Sequence, residues 1–191
     1  GLACAGAGAL LLWPRHPVRA GAAWLALAAA ACLLAPRLDA ALARARFPGG
    51  DLMATRPSRY GLLAVTQAGA QRAFFHNGVL LFTTEDEPAA EERVHLPLLL
   101  HPQPRRVLLV GGGLGGGLRE VLKHRPESVD YVELDPAVFD LARAYAGARV
   151  LEPLGDPRVH AFAGDGRDVL RRARGRYDVI LVSLPDPQSA F

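Results

Sequence analysis

Short apolar runs alternate with amphipathic segments in the second half of the chain. Four runs have the length and composition of buried strands, at 106–110, 129–134, 158–163 and 177–183. Segments with helical spacing follow the first three, at 117–124, 136–148 and 164–174. This alternation predicts βαβ units, and therefore an α/β fold whose parallel sheet carries helices on both faces. Four strands are fewer than a complete doubly wound sheet has, so we expect further strands beyond residue 191.

A different pattern precedes this region. Strand-like runs at 60–67, 71–76 and 78–84 are separated by the turn residues "AGA" and "NG", which predicts a small antiparallel β-unit over 58–84. A carboxylate-rich segment with Pro88 near its first turn then predicts a helix. We assign 85–191 to the domain with the parallel sheet.

The first 47 residues are rich in alanine and poor in charge. Two uncharged runs, 1–14 and 20–36, lie there, and the second is 17 residues long. A membrane-spanning helix needs about 20 apolar residues, with about 17 as the lower limit. Trp13, Trp24 and the flanking arginines favour one or two transmembrane helices, and the chain begins without a methionine, so we expect it to be cut from a longer one. The alternative is a pair of alanine-rich helices in a soluble bundle.

The charge and cysteine content of the chain limit the kinds of partner and site that we expect. Arginines are more numerous after the 20–36 run than before it, which predicts that the remainder of the chain lies in the cytoplasm. The formal net charge is only +3 and no basic stripe accompanies it, so we do not expect nucleic acid as a partner. Cys4 and Cys32 fall inside apolar runs, which argues against a disulfide framework or a metal site.

A glycine-rich loop carries the candidate chemistry. Residues 111–117 contain six glycines, and Gly111, Gly113 and Gly116 have the G-x-G-x-x-G spacing between a strand and a helix. Glu133 lies twenty residues after Gly113, the distance at which a carboxylate can accept the hydroxyl protons of a ribose. The loop could also be a plain turn, but its position predicts a nucleoside pocket.

A second acid, Asp165, indicates which kind of nucleoside we expect in this pocket. Asp165 follows the third strand and can accept a hydrogen bond from an adenine amino group, while the Gly166 backbone can approach the ring. Carboxylates at adjacent strand ends suit an adenosyl sulfonium better than a polyanionic dinucleotide. Asp165 could instead cap the following helix, or do both.

The quoted motifs resemble one enzyme family. "RVLLVGGGLGGGLREVLKH", "VDYVELDP", "DPRVHAFAGDGRDVL" and "YDVILVSLPDP" are similar, in that order, to the spermidine synthase (polyamine aminopropyltransferase) family. The resemblance covers about residues 60–191 and implies a Rossmann-like fold of the class I methyltransferase type. With apolar segments in front, the chain looks most like the membrane-bound, transporter-fused branch.

The resemblance implies a reaction and a set of binding residues. The family transfers aminopropyl from decarboxylated S-adenosylmethionine to putrescine or a similar polyamine and releases methylthioadenosine; no metal takes part, and a homodimer is one option. By matching position, Glu133 would hold the ribose, Asp165 and Gly166 the adenine, and Gly111 and Gly113 the loop floor. Asp186 would help to seat the amine.

Several positions depart from the family pattern. The usual loop aspartate, which grips the aminopropyl amine, is Leu114 here, and the usual catalytic aspartate is Ser183. Gly61 replaces a glutamine, and alanines replace part of a Tyr-His-Glu motif near Ala89. The resemblance therefore implies that the nucleoside half of the site is kept while the amine half is rewritten.

These departures leave the activity open. Asp186 is a candidate substitute base, so a weakened or altered aminopropyltransferase is the first hypothesis. A non-catalytic nucleoside-binding module of a membrane transporter is the second, and methyl transfer from ordinary S-adenosylmethionine is the third. Five acids within 85–92 could attract a polyamine, or could simply favour a helix N-terminus.

Overall fold

The computed structural model describes residues 24–35, 38, 42, 47, 50–173 and 175–183. The chain divides into two units, Gly1–Ala45 and Arg46–Phe191. In the first unit, residues 24–35 form a helix whose side chains are all exposed. Nowhere in the described ranges does a helix reach the length and apolarity that a bilayer crossing requires, so the expected transmembrane helices are not found there. The first apolar run, 1–14, lies outside the described residues.

The second unit begins with an antiparallel sheet of four strands in the order β1-β2-β3-β4. The strands are β1 Asp51–Ser58, β2 Gly61–Ala68, β3 Gln71–His76 and β4 Val79–Thr83. The last three match the predicted β-unit, with Asn77 and Gly78 at positive φ in the expected turn. Strand β1 was not predicted. It is an edge strand that contains Pro57 and is mostly exposed, so it lacks the apolar alternation of a half-buried strand.

The parallel sheet follows as predicted. Its strands are β5 Arg106–Val110, β6 Ser128–Glu133, β7 Val159–Ala163 and β8 Val179–Val182, in the order β7-β6-β5-β8. All three pairings are parallel. The order reverses on either side of β5, so the loop after this strand lies at the switch point where open α/β sheets bind ligands.

Five α-helices belong to the described part of this unit. They are α1 Glu87–Leu99, α2 Leu118–Lys123, α3 Pro136–Tyr145, α4 Ala148–Leu151 and α5 Gly166–Arg172. A kinked turn, Gly113–Gly117, in which Gly116 has φ +92°, leads into α2, and a 3-10 turn, Glu152–Gly155, follows α4. Helix α1 starts as predicted, with Asp86 as its N-cap and Pro88 in its first turn.

A shared core joins the two sheets. Strand β5 is buried along four of its five residues, as expected for a parallel strand that is covered on both faces. On one face, Leu109 belongs to a cluster that also contains Leu63 and Phe74 of the antiparallel sheet. On the other face, Leu108 belongs to a cluster against which Leu170 of α5 packs. This packing fixes the loop after β5 relative to both sheets.

An ion-pair network around Glu120 ties α1 to α2. The Glu120 side chain has no exposed surface, and its Oε2 lies 2.5 Å from Lys123 Nζ and 3.1 Å from His95 Nε2. His95 Nδ1 in turn lies 2.7 Å from His124 Nε2. Burial alone would raise the pKa of Glu120, but the Lys123 hydrogen bond and the charges of Lys123, His95 and Arg119 together lower it. Because α1 and α2 flank the glycine loop, this network holds the loop between them.

We expect Glu120→Gln to lower the free energy of unfolding by about 1–3 kcal/mol at neutral pH, since it removes the buried anion that pairs with Lys123 and His95. A carboxyl with a lowered folded pKa stabilises the fold above its unfolded pKa and ceases to do so as the pH falls through the folded value. The difference from wild type should therefore shrink below the ordinary glutamate pKa of 4.5. Urea unfolding at several pH values measures it. The control is Glu127→Gln, which affects an exposed pair with Arg105; an equal loss in both variants would contradict the prediction.

Candidate nucleoside site

The glycine loop lies at the carboxyl end of β5, and close contacts explain its composition. Gly112 has φ +69°, and a Cβ there would lie 2.4 Å from Ser183 Oγ. A Cβ on Gly113 would lie 2.6 Å from Cζ of the Tyr131 ring. A larger residue would therefore have to displace either the end of β8 or a buried aromatic ring.

Tyr131 connects the loop to the acid at the end of β6. Its side chain is fully buried beneath the loop, with the ring against Gly113. The hydroxyl donates to Glu133 Oε2 over 2.9 Å. Burial, with the charge of Glu133, raises the pKa of Tyr131 well above its usual value, so the hydroxyl keeps its proton.

Glu133 is held at the end of β6 by two donors. Its Oε2 accepts the Tyr131 proton, and its Oε1 accepts the backbone N–H of Leu134 over 3.1 Å. Burial raises the pKa of Glu133 above its usual value even though both hydrogen bonds act to lower it. The carboxylate is therefore oriented before any ligand arrives, and it retains lone pairs for further donors.

Asp165 follows β7 and is the N-cap of α5. Its Oδ1 accepts the backbone N–H of Arg167 over 2.9 Å, and its Oδ2 lies 2.9 Å from Arg167 Nη2. These hydrogen bonds lower the pKa of Asp165. The structural role that the sequence left open, a helix cap, is thus present, and the carboxylate stays ionised at neutral pH.

Both acids line one cleft. Glu133, Asp165, Gly111 and Gly166 all contribute to a cavity with about 860 Å³ of empty space. Gly166 packs closely on β5, since a Cβ there would lie 2.5 Å from Val110 Cγ1. The arrangement that the sequence predicted, two carboxylates at adjacent strand ends beside a glycine loop, is the observed geometry.

A second cavity adjoins the first through Gly111 and Glu133, which line both. It contains about 580 Å³ of empty space, and Leu114, Ser183 and Arg93 contribute to its walls. A nucleoside in the first cavity would thus direct a substituent on its ribose toward the second.

Two of the rewritten positions, Leu114 and Ser183, line this second cavity. Leu114 is only 2% exposed and belongs to the hydrophobic core, so it forms an apolar wall where the resemblance implied a charged contact. Ser183 follows β8, and its backbone N–H donates to the carbonyl oxygen of Val110 over 2.9 Å. Asp186 lies outside the described residues, and its role remains a prediction.

The acidic segment at the start of α1 is largely engaged in structural contacts. Asp86 Oδ1 accepts the backbone N–H of Ala89 over 3.4 Å. Glu87 pairs with Arg119 and Arg149, and Glu91 lies 3.7 Å from Lys123 Nζ. These contacts favour the helix-start interpretation over attraction of a polyamine.

The sequence did not single out two of the residues that line the site. Tyr131 resembles an ordinary strand residue, and only its alternation with Glu133 on one face of β6 could have indicated the contact. Arg93 borders the buried stripe of α1 formed by Ala90, Val94 and Leu98, and that spacing is the signal that could have found it.

The strand order and the loop at the switch point define a Rossmann-like α/β protein. Residues 88–190 match the Spermine/spermidine synthase domain, and this match covers more than half of the chain. The chain therefore belongs to the spermidine synthase family.

Relatives in sequence and structure agree with this membership. The chain is 42% identical over 113 residues to a spermidine synthase of Dictyostelium discoideum, covering 58% of this chain and 39% of that protein. It is 41% identical over 118 residues to a polyamine aminopropyltransferase of Leptospira biflexa, covering 61% and 42%. The chain thus spans about two fifths of these curated relatives.

Solved structures show the same similarity. The crystal structure of a spermidine synthase in complex with the transition state analogue AdoDATO gives a TM-score of 0.66 at 32% identity, covering 71% of this chain and 47% of that one. The spermidine synthase of Thermotoga maritima gives 0.65 at 31% identity, covering 73% and 48%. Both support the described fold of the second unit.

Tyr131→Phe should make nucleoside binding more sensitive to acid. The carboxylate of Glu133 must be ionised to accept two hydroxyl protons, and the Tyr131 hydroxyl lowers its pKa. Without that hydroxyl the pKa of Glu133 rises further, so methylthioadenosine affinity should begin to fall at a higher pH than in wild type. Calorimetric titrations between about pH 5 and pH 8 measure this shift. Tyr145→Phe is the control, and identical pH profiles for all three proteins would show that the Tyr131 contact does not tune Glu133.

Proposed function

We propose that this chain is an aminopropyltransferase of the spermidine synthase type, which uses decarboxylated S-adenosylmethionine as donor and an amine of the polyamine class as acceptor. The observation that carries the proposal is the common cleft of Glu133, Asp165 and Gly111. The activities named for the relatives from Dictyostelium and Leptospira support it.

The cleft suits the adenosine part of the donor. Glu133 would accept the ribose hydroxyl protons, because its carboxylate is already fixed by Tyr131 and Leu134. Asp165 would accept from the adenine amino group, beside the Gly166 backbone. Gly111 and Gly113 would form the floor, where the absence of side chains lets the ribose approach the loop.

The transfer is an in-line displacement. The acceptor nitrogen forms a bond to the carbon beside the sulfonium, the carbon–sulfur bond breaks, and its electron pair stays on sulfur in methylthioadenosine. The nitrogen must lose a proton, and a general base contributes typically about 10²–10⁴-fold to such a step. Ser183 cannot act as that base unaided, so we assign the role to Asp186 and expect slow turnover.

Binding of methylthioadenosine tests the nucleoside site. We expect Glu133→Ala and Asp165→Ala each to weaken calorimetric binding about ten- to a hundredfold, because a hydrogen bond to a charged group contributes about 1.5–3 kcal/mol. Matched controls are Glu127→Ala, near the opposite end of β6, and Asp168→Ala on α5; both should bind normally. Wild-type protein that does not bind methylthioadenosine would rule out the proposal.

Turnover tests the reaction itself. Wild-type protein supplied with decarboxylated S-adenosylmethionine and putrescine should release methylthioadenosine, and a Glu133→Ala/Asp186→Ala variant should not. The neutral Ser183 and the buried Leu114 favour one alternative, a binding module without turnover. Tight methylthioadenosine binding with no product above that variant would select this alternative.

We also propose that residues 1–47 attach the chain to a membrane, as in the transporter-fused branch, with the 85–191 domain on the cytoplasmic side. The uncharged run 20–36 and its flanking arginines support this. Full-length protein should stay with membranes through an alkaline carbonate wash. Ala28→Arg/Ala31→Arg should release it, since each central arginine costs about 2.5–3.5 kcal/mol of insertion free energy. Release of the wild type by the wash would contradict the proposal.

A further inference from the structure

A cluster of metal-ligating side chains lies between α1 and α2, outside the nucleoside cleft. Glu91 and His95 are one helical turn apart on α1 and therefore lie on one face of that helix. Glu120 of α2 lies opposite them. Each of the three offers a ligand atom, and these atoms all lie within 4.8 Å of one another. We call these three residues the interhelical cluster; the two nucleoside cavities are lined by other residues.

The spacing within the cluster is close to that of ligands around one ion. His95 Nε2 lies 3.1 Å from Glu120 Oε2. Two ligands that bind Zn²⁺ at about 2.0–2.1 Å in tetrahedral geometry lie about 3.3–3.4 Å apart. Glu91 is exposed, so its side chain is free to complete the set.

Glu120 gives the cluster a buried anionic ligand. Its side chain has no exposed surface, and its Oε1 accepts no hydrogen bond within the described part of the chain. The nearest cation to Oε1 is the guanidinium of Arg119, with Nε at 3.6 Å. Burying a carboxylate oxygen without a hydrogen bond is costly, and a metal ion would satisfy it.

His124 orients His95 toward the cluster. His95 Nδ1 lies 2.7 Å from His124 Nε2, so one of these two nitrogens donates a proton to the other. When His95 Nδ1 is the donor, the lone pair of its ring is on Nε2, which faces Glu120. Histidines that bind metals usually donate their second N–H in this way, and the contact fixes the tautomer and the ring.

Lys123 already places a cation between the two carboxylates. Its Nζ lies 2.5 Å from Glu120 Oε2 and 3.7 Å from Glu91 Oε1. The Lys123 side chain is exposed and can move into solvent, and the two carboxylates would then neutralise a divalent ion. Arg119, the other lysine or arginine within ion-pair distance of Glu120 among the described residues, also pairs with Glu87. Metal binding would therefore exchange one cation for another, with Lys123 as the competitor.

We propose that Glu91, His95 and Glu120 bind a divalent transition-metal ion of the Zn²⁺ type, which replaces the Lys123 ammonium between α1 and α2. Imidazole with carboxylates suits Zn²⁺, whereas Mg²⁺ prefers oxygen ligands. The role of the ion is structural: it joins the two helices that flank the glycine loop and takes no part in aminopropyl transfer. The inference does not rest on the proposed function.

Zinc titration tests the site. The full chain is treated with a chelator, dialysed and titrated calorimetrically with ZnCl₂. We expect one ion per chain, which Mg²⁺ in about tenfold excess does not displace. The melting temperature should rise with Zn²⁺ and return to its starting value when the chelator is added, since the ion binds the folded state.

Variants assign the binding to the cluster. His95→Ala and Glu91→Gln should each weaken Zn²⁺ binding at least about tenfold, as loss of a ligand should cost no less than loss of a residue that only orients one. Glu91 is exposed, so its variant tests the site even if His95→Ala disturbs the fold. The matched controls are His101→Ala and Glu92→Gln, which should bind Zn²⁺ normally.

Lys123→Ala distinguishes a metal site from a purely structural ion-pair network. Removal of the competing ammonium should tighten Zn²⁺ binding about two- to fivefold, the range for one exposed charge pair, whereas Arg125→Ala should not. Wild-type protein that does not bind Zn²⁺ would overturn the inference, as would equal affinity in the wild type, His95→Ala and Glu91→Gln. Weaker binding in Lys123→Ala would contradict the exchange of cations. Methylthioadenosine binding is measured separately, so the proposed function stands or falls independently of these results.

Discussion

The contact between Gly113 and the Tyr131 ring is the constraint from which the rest of the site follows. The ring lies so close to the loop that a Cβ at position 113 would reach 2.6 Å from it, which leaves glycine as the residue that fits. In this position the hydroxyl of Tyr131 donates its proton to Glu133. One buried side chain thus sets the height of the loop and the orientation of the acid together. The glycine motif and Glu133, twenty residues later, are therefore connected through Tyr131.

The strands of the parallel sheet, and the loop and acids at their ends, could be predicted from the sequence. Strands β5 and β6 are apolar because both faces of the sheet are covered there. The alternation of apolar runs with helical segments also indicated β7 and β8, although both are largely exposed in the described structure. The glycine loop, Glu133 and Asp165 follow from where the strands end. Strand β1 could not be predicted, because an edge strand with a proline lacks a burial pattern. Arg93 and Tyr131 were missed for a different reason. Their importance depends on what the fold places opposite them, whereas local spacing indicates only which face of a strand or helix they lie on. The side chain of Leu114 was expected beside a ligand, and it also joins the core, since an apolar side chain at a buried turn packs inward.

Family membership rests on the fold of the second unit, whereas the proposed acceptor chemistry depends on the side chains of one cavity. The fold of the second unit agrees with the spermidine synthase relatives over the region that they share. The cavity that Leu114 and Ser183 line has these neutral side chains at the two positions where the resemblance implied acids. A fold can support many reactions because the side chains at its open end vary independently of its core.

The pairing of Asp165 with Arg167 bears on which purine the cleft can accommodate. The guanidinium and the backbone N–H of Arg167 occupy three of the lone-pair positions on this carboxylate, out of about four that it has. The position that remains has a fixed direction, and an ionised carboxylate can only accept a proton there. In the proposed binding mode the exocyclic amino group of adenine can donate a hydrogen bond to this position. The keto oxygen of hypoxanthine has no proton to donate, and its lone pairs would repel those of the carboxylate. Adenosine would thus be distinguished from inosine by a helix cap.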